Sequence, residues 1–77
     1  MRMKLNEAIS KRIKMLCYDQ GISIEHFVTK VNADPQAVIA VVNGNGHFAS
    51  LGVMGAICIA LGISMTEFYN HPMFKGL

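Results

Sequence analysis

There is no tryptophan in this chain, and proline and cysteine occur only twice each. Cys17 and Cys58 lie far apart in apolar stretches, which excludes a disulfide framework. They are expected to be small core residues of a protein in a reducing, cytoplasmic compartment. His26, His47 and His71 show no ligand spacing; neither C-x-x-C nor H-x-x-x-H occurs, so no metal or other cofactor is expected. A glycine-rich phosphate loop and paired acids are also lacking. With both thiols expected to be buried, no catalytic residue and no small-molecule substrate are expected. The longest apolar run, Leu51 to Ile63, is too short for a bilayer and holds three glycines, so no membrane partner is expected. Basic residues interrupt the N-terminus, and no secretory signal is expected. Net charge is only +2, too little by itself to imply nucleic acid. Its distribution says more: Arg2, Lys4, Lys11, Arg12 and Lys14 put five of the seven basic residues in the first fourteen positions.

Apolar residues, by contrast, are in surplus. They make up 52% of 77 residues, and mean hydropathy is +0.35. A chain this short buries only about 60% of its unfolded surface. The surplus therefore points to burial in a partner, most simply a second copy. No stretch alternates like a strand, so the expected class is all-α. Leu5 to Gln20 reads as helix 1, with Leu5, Ile9, Ile13, Leu16 and Cys17 on one face and Gly21 as its stop. Residues 1–77 form one domain, with a core of about 5–69 and a tail, 70–77, that is frayed or docked on a neighbour.

Ser23 to Gly44 organises the rest. Ser23 is a good N-cap, flanked by Ile22 and Phe27 at staple positions. Ile24, Phe27, Val28 and Val31 share a face. Asn32 suits the left-handed conformation that ends a helix. Asp34-Pro35 starts the next one, because Asp caps and Pro at the first position gives up no needed N–H. Val38, Val41 and Val42 form its inner side, and Asn43-Gly44 closes it. The joint Gly21-Ile22-Ser23-Ile24-Glu25-His26-Phe27 nearly recurs as Gly62-Ile63-Ser64-Met65-Thr66-Glu67-Phe68, where Glu67 completes a capping box with Ser64. Five helices result, the last two being Ser50 to Leu61 and Met65 to about Asn70.

Ser23-Ile24-Glu25, Asn32-Ala33-Asp34-Pro35, Asn43-Gly44 and Ala60-Leu61-Gly62-Ile63-Ser64, in that order, resemble the phage-repressor/Cro-like helix-turn-helix domains. The resemblance covers about Leu5 to Tyr69. It implies a five-helix lambda-repressor-like DNA-binding domain whose helix-turn-helix meets double-stranded DNA. The matching base-contact positions are Gln36, Ala37, Ile39 and Ala40. Gln36 is the best reader, because its amide can pair bidentately with adenine. The implied phosphate contacts are Ser23, Lys30, Asn43, Asn45 and His47, with Lys11, Arg12 and Lys14 able to add charge. Taken singly, each Lys or Arg reads more simply as a solvated residue. The recognition helix carries no Arg or Lys, unlike most members. This leaves a second reading open, a protein-interaction module on the same fold.

The helix from Ser50 to Leu61 departs most from its relatives' pattern. Leu51, Met54, Ile57, Cys58 and Leu61 make an inner face. Gly52, Gly55, Ala56 and Ile59 recur at i, i+3, i+4 and i+7 on the other side, where polar residues are usual. Two interior glycines cost about 1 kcal/mol each relative to alanine. Close approach of a second copy would compensate, so these four are expected to form a homodimer interface. The alternative cover is the chain's own tail or Phe48.

Overall fold

Gly21 and Gly62 break the chain in the same way. The computed structural model describes residues 4–45 and 49–75, and these fold as α1 (Leu5–Gln20), α2 (Ile24–Lys30), α3 (Pro35–Val42), α4 (Leu51–Leu61) and α5 (Met65–Tyr69). A short 3-10 turn, Pro72–Phe74, follows, and no strand occurs among the described residues. At each break the glycine is left-handed, with φ 70° at Gly21 and 74° at Gly62. Each joint closes with the same pair of bonds. Gly21 N–H donates to Tyr18 O and Ile22 N–H to Cys17 O; Gly62 N–H donates to Ile59 O and Ile63 N–H to Cys58 O. This is the Schellman arrangement, which satisfies the last carbonyls of a helix. Both cysteines therefore occupy the same place in the joint. Ser23 and Ser64 then cap α2 and α5 by accepting from His26 N (3.1 Å) and Glu67 N (3.0 Å). Of the capping box expected at Ser64, the serine half forms.

α1 is the spine. Its polar side chains reach carbonyls at the C-terminal ends of three other helices, where the helix's own N–H groups run out. Ser10, buried, donates its hydroxyl to Val42 O at the end of α3. Gln20 Nε2 donates to Leu61 O at the end of α4 (2.7 Å). Arg12 donates from Nε to Phe68 O (2.9 Å) and from Nη2 to Glu67 O (3.0 Å) at the end of α5. The apolar face of α1 supplies Ile9, Ile13 and Cys17 to a single core with Phe27, Val31, Val38, Val41, Val42, Met54, Ile57, Cys58, Leu61 and Phe68.

Several expectations shift. Leu5 and Leu51, assigned to inner faces, are 50% and 77% exposed. Both stand at the first position of a helix, where the side chain overhangs the end of the packed layer. Asn32 does not take the left-handed conformation; no residue other than glycine has positive φ among the described residues. Instead α2 ends on an extended Val31 (φ −78°, ψ 126°). This directs the Val31 side chain into the core, and Ala33 N–H closes the turn on Val31 O (3.0 Å). Burial of Val31 thus ends the helix, and a left-handed residue is not needed. The described part of the tail, 70–75, docks on its own chain. Phe74 packs 6.0 Å from the Phe68 ring and 5.1 Å from Tyr69, so the packed unit runs past Tyr69. His71 Nδ1 holds the 3-10 turn by accepting from Met73 N (3.1 Å).

Candidate nucleic-acid interface

The site is built around α3. Asp34 caps it by accepting from Gln36 N–H (3.1 Å), and Pro35 occupies the first turn. Ala37, Val38, Val41 and Val42 are buried, so one whole side of α3 is seated. Gln36, Ile39 and Asn43 are exposed on the other side, and Ala40 is half-buried between them. Gln36, at the N-terminal end, is fully on the outward side.

Ala37 is a correction. It is only 8% exposed and belongs to the inner face, so it leaves the base-contacting set. The reason is helical: Ala37 lies one turn before Val41, on the same stripe. The remaining outward residues are Gln36, Ile39, Ala40 and Asn43. Ile39, 44% exposed, makes this surface apolar at its centre.

The described residues among the expected phosphate contacts separate into three places. Ser23 is exposed at the start of α2, with its oxygen already accepting from His26 N–H. Asn43 and Asn45 are exposed at the end of α3. Their backbone N–H groups donate to Ile39 O and Ala40 O, and Gly44 turns between them at φ 89°. Lys30 goes elsewhere. It lines a shallow groove of about 390 Å³ with Asn32, Gly52, Gly55, Ala56, Ile59 and Ala60. It therefore joins the four residues expected at a dimer interface. His47, and Phe48 as an alternative cover for α4, lie outside the described residues. Arg12 is spent on the carbonyls of α5, which removes it from the cations available to a partner. Lys11 and Lys14 remain exposed on α1.

The groove lies between the end of α2 and α4. Its floor is made of small residues, and its rim carries Ile59, 81% exposed. A Cβ added at Gly52 or Gly55 would meet nothing within 4 Å. Packing inside the chain therefore does not require either glycine. The tail packs instead on Phe68 and Tyr69, leaving Ile59 uncovered.

Burial raises the Cys17 and Cys58 thiols above their ordinary value, with a small opposing pull from Lys30 on Cys17. Burial, and then the neighbouring Cys58, raise the Tyr69 phenol. Raised thiols stay protonated and unreactive at neutral pH. No cluster of three His, Cys, Asp or Glu side chains able to hold a metal occurs among the described residues. No helix there is long and apolar enough to cross a membrane.

The chain matches no family model, no curated protein and no solved structure.

The sequence reading missed Ser10 and Gln20, and it placed Arg12 with the solvated or phosphate-facing cations. A serine in mid-helix is a weak signal, but one directly after Ala8 and Ile9 and one turn before Ile13 could have been read as a donor facing inward.

Proposed function

We propose that this chain is a small helix-turn-helix DNA-binding transcriptional regulator that acts as a homodimer. The observation carrying the proposal is the one-sided burial of α3. Ala37, Val38, Val41 and Val42 seat it, while Gln36, Ile39, Ala40 and Asn43 are left for a partner. In this reading α3 lies in the major groove, and Gln36 pairs with an adenine edge. Ile39 and Ala40 touch thymine methyls. Ser23, Asn43 and Asn45 follow the backbone. Two copies place two such helices about 34 Å apart on a pseudo-palindromic site.

The test is fluorescence anisotropy with duplex DNA across a salt series. Binding should weaken steeply as salt rises, since phosphate contacts release counterions. Gln36→Ala should reduce discrimination between sequences by about 1–3 kcal/mol while leaving non-specific binding in place. Binding that ignores salt, or its absence up to high protein concentration, removes the regulator reading.

One observation favours a second reading, a protein-interaction module. The outward side of α3 carries no cation, and its centre is Ile39. In that case the same surface takes an apolar partner, and the anisotropy titration stays flat.

A further inference from the structure

The structure assigns the groove beside α4 to a second copy of this chain, joined antiparallel, with Ile59 of each copy seated over Gly52 of the other. This deepens the homodimer part of the regulator reading and rests on it for its biological setting, though not for its geometry.

Three observations converge. First, α4 carries no charged side chain on any side: Leu-Gly-Val-Met-Gly-Ala-Ile-Cys-Ile-Ala-Leu. A helix apolar all round belongs inside something. Here only Met54, Ile57, Cys58 and Leu61 are buried by the chain itself. Second, the groove is already shaped, with small residues on its floor and Lys30 and Asn32 on its far wall. The space above Gly52 and Gly55 is open to a Cβ and to whatever else fits there. Third, the knob and the hole are on the same helix. Ile59 is two turns beyond Gly52, so both lie on one line along α4, and Gly55 and Ala56 flank the midpoint.

That spacing decides the occupant. Turning a copy end for end about a twofold between Gly55 and Ala56 puts Ile59 over Gly52 of its partner, and the reverse. A parallel pair would instead set Ile59 on Ile59 and leave the glycines facing each other across a gap. A shift of the twofold by half a residue either way puts Ile59 opposite Leu51 or Val53 rather than Gly52. The antiparallel register alone matches large to small. It also buries no charge, because α4 has none. Asn32 and the Lys30 head remain at the edge, where the Lys30 stem can cover the seated isoleucine.

Area sets the strength. α4 is eleven residues, about 16 Å long. A pair of such helices buries on the order of a few hundred Å² per copy, short of the roughly 800 Å² per partner of a tight complex. The association is therefore weak in free solution. It becomes firm when a duplex holds two copies side by side and raises their local concentration.

Cysteine cross-linking reads the register in the full chain without DNA. In Ala56→Cys the two new thiols sit beside the twofold, about 1.5 Å apart along the helices, and should form an interchain disulfide rapidly on mild oxidation. In Gly52→Cys alone the two thiols are about 10 Å apart along the helices and should not. Gly52→Cys mixed with Ile59→Cys should give the mixed disulfide faster than either variant alone. Wild type, with Cys17 and Cys58 buried, is the blank. Sedimentation provides the second measurement. Ile59→Lys should weaken self-association by roughly tenfold or more without changing the thermal melt, and Ile59→Leu should retain it.

A wild-type chain that stays monomeric at every concentration overturns the pairing. So does self-association untouched by Ile59→Lys, or Gly52→Cys alone linking as fast as the mixture. Failure of the regulator reading looks different: association and cross-linking proceed as stated while duplex titrations stay flat. A monomer that still binds duplex with a salt slope sinks the pairing and leaves the regulator standing.

Discussion

Ser10 is a small polar group in the middle of an apolar stripe, and it holds one end of α3. Its hydroxyl donates to Val42 O, and both groups are buried. Removing it leaves that carbonyl without this partner in a dry place. Ser10→Ala should destabilise the fold by about 1–3 kcal/mol in urea melts, more than a serine-to-alanine change on the outer side of α1. A loss no larger than that of a surface substitution would show that Val42 O finds another donor. The pattern of α1 made Ile9, Ile13 and Cys17 legible as core, because a 3.6-residue period is local information. It could not tell that α3 ends next to Ser10. Ala37 teaches the converse. Its burial was available from the period of α3, since Val41 lies one turn on; the sequence pattern was sufficient and was misread.

At the level of elements, the glycines separate into two kinds. Gly62 ends α4 at φ 74°, where a side chain is strained whatever the space. Gly52 sits inside α4 in ordinary helical conformation, with open space where a Cβ would go. Gly62→Ala should therefore destabilise by about 1–2 kcal/mol, and Gly52→Ala should stabilise the monomer by about 0.5–1 kcal/mol. Thermal melts of the two variants moving in opposite directions would bear this out; a shift in the same direction would show that Gly52 answers to something within the chain. The helix ends were largely readable beforehand. Ser23, Asp34 and Ser64 each accept from the first turn of the helix they precede, because capping uses atoms two or three residues apart; Ser50, expected as the first residue of its helix, is its cap instead. The end of α2 was not readable in detail. Val31 left the helix to reach the core, a choice set by packing from α1 and α3 rather than by Asn32.

Across the whole molecule, the core couples all five helices, and its two thiols link stability to pH. Cys17 and Cys58 are buried and protonated in the folded chain, with affinity for the proton raised above the ordinary 9.0 by burial. An acid whose folded value is raised contributes stability that is complete below the unfolded value and is lost as pH rises through the folded one. Urea midpoints should thus be unaffected by these groups near neutrality and fall above about pH 9. Tyr69, raised in the same sense from 10.0, extends the fall. Cys17→Ala should shrink the alkaline drop, measured relative to its own neutral stability; an unchanged drop would assign it to other groups.

The sequence by itself determined what depends on near neighbours along the chain: the all-helical class, the five segments, their caps and glycine stops, and most of the buried stripe. It also marked Gly52, Gly55, Ala56 and Ile59 as an anomaly on α4. Tertiary structure decided what depends on groups far apart in the chain. It joined Ser10, Arg12 and Gln20 to the carbonyl ends of α3, α5 and α4, folded Phe74 back on Phe68 and Tyr69, and brought Lys30 and Asn32 to the edge of the α4 groove. The physical reason is range. Periodicity and capping act within one turn of helix, whereas a donor's partner or a groove's second wall exists only once separate helices have packed.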